Sequence, residues 1–330
     1  MTRQLPRIAA AILATTALAG PALALDRVHL QTDWIPSGEH APYYGAWEKG
    51  IFEEHGFDVT ITRGYGSGDT AMKLAARSFE FGVADIGAVM AARAQEDIPV
   101  RVISTLYTHS PHSLFVLESS GITDFSDLEG KRIGITPGNS HRVYFPSIAA
   151  ASGTDPDQIR WVNMDGGAMA TQLIAGNIDA APFFSIHHFF QNKAAEEAGE
   201  QINVLPFVEV GFAIYSATLI AHDRMVDENP ELVERFVGAV HAAFEWARDN
   251  PAEACEMHVT RVPEVALDDC MGSLSATLDF VFNEHSEEFG LGNVSPERAA
   301  ATWAEVANAQ DLDPEWDFWQ VYAPSLRPES

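Results

Sequence analysis

The stretch GSGDTAMKLAARSFEF, Gly66 to Phe81, has a counterpart in GGAMATQLIAGNIDAA, Gly166 to Ala181. At a spacing of 99 residues Gly68 meets Gly167, Ala71 meets Ala170, Leu74 meets Leu173 and Ala76 meets Ala175. Glu80 meets Asp179, an acid for an acid. Alanine and leucine are common, so the match takes its weight from what surrounds it. In both places a strand runs into a glycine-rich loop, then a short helix, then another strand. A unit used twice in this way predicts two similar α/β lobes.

The alternation extends in both directions from that unit. RVHLQTD, DVTITRGYG, EFGVADIG and VRVISTLY read as strands, with helical patterns between them. Ser67 or Asp69 is expected to cap the helix TAMKLAAR. The rhythm restarts at KRIGITPG and continues through IRWVNMDGG, NIDAAPFFS and INVLPFVEV. SLFVLE and YSATLIAHD stand outside both series and read as the two segments that cross between lobes. From Asn229 the chain is nearly all helix, with Pro230 and Pro251 at helix starts. The expected division is a leader over 1–24, a first lobe over 25–112, an inserted lobe over 113–216, and a return strand with C-terminal helices over 217–330.

Arg3, Arg7 and the alanine-rich apolar run that follows form a secretory leader, with Ala22-Leu23-Ala24 as its cleavage pattern. Removal after Ala24 and a periplasmic location are expected. Net charge is −27 over the 330 residues, which argues against nucleic acid or an anionic membrane as partner. The two cysteines, Cys255 and Cys270, cannot form a cysteine-based zinc site. An oxidising compartment permits them to bridge, but two buried thiols is the favoured reading. His109 and His112 suggest a metal only weakly, with no clustered carboxylate beside them. Walker spacing and a G-x-S-x-G elbow are both missing, so neither cofactor nor catalysis is expected.

Ligands of parallel α/β sheets sit beyond the carboxyl ends of the strands, which points to the strand-to-helix loops. The first, TDWIPSGEHAPYY from Thr32, is unusually aromatic for a turn. Trp34 reads as a stacking wall or as core, and the place after a strand favours the wall. His40 reads as a donor or a loop histidine, and Tyr44 rather than Tyr43 as the cleft-facing tyrosine. Ser67, Gly68, Gly138, Asn139 and Ser140 lie in two loops leading into helices, where free N–H groups suit an anionic group. Arg142 would clamp such a group or make a surface ion pair. Asp85 and Asp165 would accept from a ligand amine or cap the next helix. Phe183 or Phe184 would face the cleft.

D-W-x-P with a histidine four residues past the proline, followed by Y-x-A-x-E-K-G-x-F-E-E-x-G-x-D-V, resembles the NMT1/THI5-like substrate-binding proteins of ABC importers. SFEFGVADIGAVMAARAQEDIPVRVISTL and SGITDFSDLEGKRIGITPGNS resemble the same family. The resemblance runs from about Val28 to about Trp246 and implies a type II two-lobe periplasmic binding protein. It further implies a monomer that delivers a small molecule to a permease, and it nominates Asp33, Trp34 and His40 as ligand contacts. Pyrimidine-binding members and the fungal enzymes resembling them carry Asn-Thr-Asn where this chain has Ser37-Gly38-Glu39. The Cys-rich motif of those enzymes is missing. The expected ligand is a pyrimidine-like or other flat nitrogen heterocycle. An organic anion, such as an aromatic carboxylate or alkanesulfonate, is the alternative, and a pyrimidine-precursor synthase the rival from another class.

Overall fold

The computed structural model describes residues 24–328, so the expected leader over 1–24 lies outside the described part except for Ala24. Ten strands follow one another: β1 (Asp26–Gln31), β2 (Phe57–Thr62), β3 (Phe81–Asp85), β4 (Val100–Thr105), β5 (His112–Leu117), β6 (Arg132–Ile135), β7 (Arg160–Asn163), β8 (Ala181–Phe184), β9 (Ile202–Pro206) and β10 (Ala217–His222). The first lobe is a five-stranded sheet in the order β2-β1-β3-β10-β4. The second holds β8-β5-β9 and β6-β7, joined by a parallel bridge between Ile133 and Ala180. Read across, its order is β7-β6-β8-β5-β9, the same pattern as the first lobe. In each lobe the third strand pairs antiparallel with a strand that arrives by crossing: β10 beside β3, and β5 beside β8.

Strand composition follows position. β2 is an edge strand and alternates, with Phe57, Val59 and Ile61 turned inward and Asp58 and Thr60 exposed. β3 and β5 sit inside their sheets and are buried throughout. The long helix Pro230–Asp249 buries Val233, Phe236, Val240 and Phe244. Phe236 stacks on Phe81 at 3.9 Å between ring centroids, fixing this helix against the first sheet.

The internal repeat is visible in the hydrogen bonds. The helices Ser67–Ala75 and Gly166–Ile174 are equal in length and 99 residues apart. Glu80 accepts the backbone N–H of His29 in β1 at 2.8 Å, and Asp179 accepts that of Arg132 in β6 at 2.7 Å. The acid-for-acid match therefore marks one job done twice, tying the first strand of each lobe to the turn before the third. Both helices then unwind through a left-handed residue, Arg77 at φ 58 and Gly176 at φ 69. Glycine takes that conformation without strain and arginine does not. The first helix starts earlier than its sequence suggests. Gly66 at φ 128 is its N-cap, and Asp69 instead pairs with Lys73 one turn on, at 2.7 Å.

The C-terminal helices do not pack on the first lobe alone. Gln310, at the end of the helix Pro296–Gln310, donates to the carbonyl of Val143 in the second lobe. Ser273, in the helix Leu267–Val281, donates to the carbonyl of Ile186. These helices strap the two lobes together from the side.

The reading of Cys255 and Cys270 as two thiols is corrected: they form a disulfide with Cα atoms 5.7 Å apart. The helices Pro251–Arg261 and Leu267–Val281 lie against each other across a short connection, which brings two distant helical positions into register. A 15-residue separation closes a loop worth about 3 kcal/mol in unfolded-state entropy. Cys255→Ser with Cys270→Ser is expected to lower unfolding stability in urea by about that amount. An unchanged midpoint would show that strain cancels the gain.

Tyr44 belongs to this region too. Its ring meets His258 edge-on at 5.5 Å, and neither ring nitrogen of the buried His258 has a partner. Burial, with nearby His40 adding to it, pushes His258 from 6.5 down to about 3. The unfolded chain takes up a proton near pH 6.5 that the folded ring refuses until about pH 3. The stability held in the neutral ring is therefore complete above 6.5 and lost as pH falls toward 3. Between about pH 6 and 4, His258→Leu should lose about 1.4 kcal/mol less per pH unit than the wild-type chain. Parallel stability-versus-pH lines from urea unfolding would mean that the folded ring protonates freely.

Candidate binding site

The carboxyl ends of β1, β6 and β8 converge between the lobes on two connected chambers. The inner one measures about 30 Å³ and the outer about 270 Å³, and they share Trp34, Phe183 and His187. Into the inner chamber the first lobe sends Asp33, Trp34, Glu39 and Ser67. The second lobe sends Asn139, Ser140, His141, Phe183, Phe184 and His187. Ile35, Phe190, Gln191 and Glu264 help to line the outer chamber.

Trp34 is wall and core at once. It borders both chambers and also packs against the hydrophobic cluster of the second lobe around Met169 and Phe183. A Cβ on Gly166 would sit 2.7 Å from the indole, so the glycine at that helix start lets the ring cross the cleft.

The polar floor is a chain of acids and imidazoles running from one lobe to the other. His40 Nε2 lies 3.4 Å from Asp33, His40 Nδ1 lies 3.7 Å from Glu39, and His187 donates from Nε2 to Glu39 at 2.7 Å. All four side chains are buried. Burial alone would raise the Glu39 carboxyl, but His187 and His40 beside it, with hydrogen bonds from His187 and Ser37, overrule it and hold it below its ordinary value. Burial likewise opposes charge on His40, and Glu39 and Asp33 reverse that, raising it. His141 lies 2.9 Å from Asn139 Oδ1 and 3.1 Å from the carbonyl of Phe183. Burial pushes it down to about 3, so its ring is neutral and donates to one of the two.

Six of the residues singled out from sequence meet at the inner chamber: Asp33, Trp34, Ser67, Asn139, Ser140 and Phe183. The others are placed elsewhere, each for a visible reason. His40 stands behind Asp33 and Glu39 and supports both. Tyr44 and Tyr43 are buried in the first lobe, Tyr43 against Phe244 at 5.2 Å. Gly68 and Gly138 bond to each other across the cleft, the N–H of Gly68 donating to the carbonyl of Gly138 at 3.0 Å. These two loops close on one another instead of offering that N–H to an anion. Arg142 lays its guanidinium 4.3 Å over the Trp161 ring, away from both chambers. Asp85 and Asp165 are helix caps, accepting from Gly87 at 3.0 Å and Gly167 at 2.9 Å. Asp165 borders a third pocket of about 230 Å³, with Arg63 and Tyr65, which shares Trp34, Ile35 and Gly166 with the outer chamber.

His109 and His112 diverge, the His109 ring lying tilted against Phe280 at 4.4 Å and His112 turning into the hinge. No cluster of three metal-ligating side chains occurs among the described residues. Glu39, His141, His187 and Gln191 were not among the residues chosen from sequence. Glu39 had a signal, an acid in an aromatic strand-to-helix turn. The histidine doublet 187–188 was visible but gave no orientation.

Comparison with known proteins agrees with this geometry. A family described as NMT1/THI5 like matches residues 37–254. Riboflavin-binding protein RibY of Chloroflexus aurantiacus is 27% identical over 276 residues, covering 81% of this chain and 76% of its own. Formylaminopyrimidine-binding protein of Halalkalibacterium halodurans is 26% identical over 245 residues, 73% and 72% of the two chains. The 4-amino-5-hydroxymethyl-2-methylpyrimidine phosphate synthase of Aspergillus parasiticus is 27% identical over 252 residues, 73% and 72%. Among solved structures, the alkanesulfonate-binding protein SsuA of Xanthomonas axonopodis pv. citri, bound to MOPS, superposes with a TM-score of 0.69. It shares 15% identity and covers 88% of this chain and 95% of its own, which establishes a shared periplasmic-binding-protein fold. With more than half its length matched by the family and its two lobes built on that fold, the chain belongs to the NMT1/THI5-like family.

Proposed function

We propose that this protein is the periplasmic receptor of an ABC importer for a flat nitrogen heterocycle of the pyrimidine type. One observation carries the ligand class: two buried carboxylates, Asp33 and Glu39, line or floor a chamber walled by Trp34, Phe183 and Phe184, and neither chamber is lined by lysine or arginine. Buried carboxylates accept hydrogen bonds and penalise an approaching anion, whose charge would be desolvated without compensation. Aromatic faces favour a planar ring. An amino- or N–H-bearing heterocycle satisfies both conditions, and a sulfonate or carboxylate satisfies only the second. The names of the formylaminopyrimidine-binding relative and the pyrimidine phosphate synthase support the same class.

Capture follows from the two-lobe design. The closed arrangement brings Glu39 to His187 and Gly68 to Gly138 across the cleft. A ligand touching both lobes favours that arrangement over an open one by its better fit there. One chain encloses the site, so a monomer suffices for delivery to a permease. Binding and release require no bond to be broken. The two cysteines are joined to each other in a disulfide, which supports a receptor over a synthase that depends on a Cys-rich motif.

A thermal-shift panel of 4-amino-5-hydroxymethyl-2-methylpyrimidine, riboflavin, benzoate and an alkanesulfonate tests the reading. A true ligand at 100 times its dissociation constant stabilises by about 2.7 kcal/mol, and the aminopyrimidine is the expected hit. A response confined to benzoate or the sulfonate would overturn the ligand class. With the hit in hand, Trp34→Ala should weaken binding by about 1–3 kcal/mol, the usual worth of one ring stacked on an aromatic side chain. Unchanged affinity would remove Trp34 from the ligand wall.

A further inference from the structure

A second polar network lies behind the inner chamber, at the hinge. Asp85 is fully buried at the end of β3. Its carboxylate accepts from the Tyr144 hydroxyl of the second lobe at 2.6 Å, and from Ser216, just before β10, at 2.9 Å. A Cβ on Gly87 would collide with the Tyr144 hydroxyl, so glycine there is what lets the phenol reach. His112, opening β5, places Nδ1 2.6 Å from Ser110 Oγ and Nε2 2.9 Å from Ser140 Oγ. The same Nε2 is 3.6 Å from Asp85 Oδ2, too far for a hydrogen bond but close enough for its charge to act. Of these residues only Ser140 lines the inner chamber.

The position of one proton follows from this geometry. Burial, with His141 adding to it, pushes His112 well below its ordinary value, so the ring is neutral and carries a single N–H. A proton on Nδ1 would aim two donors at Ser110, the ring and the backbone N–H of His112 at 3.3 Å. The Ser110 hydroxyl proton would then have no acceptor. A proton on Nε2 lets Ser110 donate to Nδ1 and accept from the backbone, so every group is paired. The Asp85 carboxylate favours the same tautomer by attracting the N–H on its side. Burial pushes Asp85 up to about 6, against the hydrogen bonds from Tyr144, Ser216 and the backbone, so above that pH it is ionised. Nε2–H then donates to Ser140 Oγ, which leaves the serine's own proton for the chamber.

We propose that Asp85, acting through His112, sets Ser140 as a hydrogen-bond donor toward the ligand. Asp85 and His112 are positioning residues, and Ser140 makes the contact. The chamber then has a donor fixed at Ser140 beside the acceptors Asp33 and Glu39. That pattern fits a ring with an acceptor nitrogen or carbonyl next to an N–H group, and it rejects a ring that carries donors alone. The inference rests on the heterocycle-receptor reading above and adds the polarity of the ligand edge.

Calorimetric titration of 4-amino-5-hydroxymethyl-2-methylpyrimidine at about pH 8 tests it, on the mature chain. Ser140→Ala and Asp85→Asn should each weaken binding roughly tenfold, the scale of one buried neutral hydrogen bond. The double variant should bind about as well as Ser140→Ala alone, because both remove one interaction. His112→Gln keeps an N–H near the Nε2 position and should bind within a few-fold of wild type, whereas His112→Leu should match Ser140→Ala. Losses that multiply in the double variant, or a His112→Gln as poor as His112→Leu, would overturn the proposal and leave the receptor reading intact. If Asp85→Asn fails to fold, the His112 pair decides. A wild-type chain that does not bind the aminopyrimidine at all overturns the receptor's ligand class, and this inference with it.

Discussion

Leu106 and Tyr107 both donate their backbone N–H groups to the carbonyl of Ala217, at 2.9 and 3.0 Å, and Ser216 returns a bond to Tyr107 at 3.2 Å. This knot joins the outgoing crossing to the returning one. Because the second lobe is inserted, the chain must leave the first sheet and come back to it, and β10 enters between β3 and β4 as the antiparallel member. Every feature of the cleft inherits its position from that constraint, since the loops that line it are the strand ends on either side of the knot.

Inside the cleft the balance is electrostatic. A carboxylate buried as deeply as Glu39 needs partners to stay ionised. Asp33 and Glu39 are buried together with imidazoles that hydrogen-bond to them, and His187 brings one of those imidazoles from the opposite lobe. The same contact that compensates Glu39 also joins the two lobes. Further back, Asp85 is held by a hydroxyl from each lobe boundary, Tyr144 and Ser216. Acids at the centre of the molecule are thus held by partners from both sides of the cleft.

Much of the fold was legible in the sequence, because its signals are local. The spacing of apolar residues distinguished strands from helices, Pro230 and Pro251 marked helix starts, and Glu80 and Asp179 disclosed a repeat that the hydrogen bonds explain. The site was legible in part. Asp33, Trp34, Ser67, Asn139, Ser140 and Phe183 stand at strand ends, and strand ends meet at the inner chamber. Tyr44, Arg142 and Asp85 occupy similar positions in the sequence but turn to His258, to Trp161 and to the hinge. Rotation about a helix axis and competition from a nearby partner decide such cases, and neither leaves a trace in residue spacing.

Sequence by itself therefore determined the two-lobe α/β architecture, the family and the loops that compose the cleft, since each depends on periodicity and motif over short stretches. Tertiary structure alone decided that Cys255 and Cys270 are joined, that Gly68 and Gly138 close on each other, and that Glu39 faces His187. Glu39 and His187 are 148 residues apart in the chain. The reason is physical: whether a buried polar group is a ligand contact or a satisfied structural partner depends on which atoms the folded chain brings within about 3 Å of it. That distance is a property of the fold.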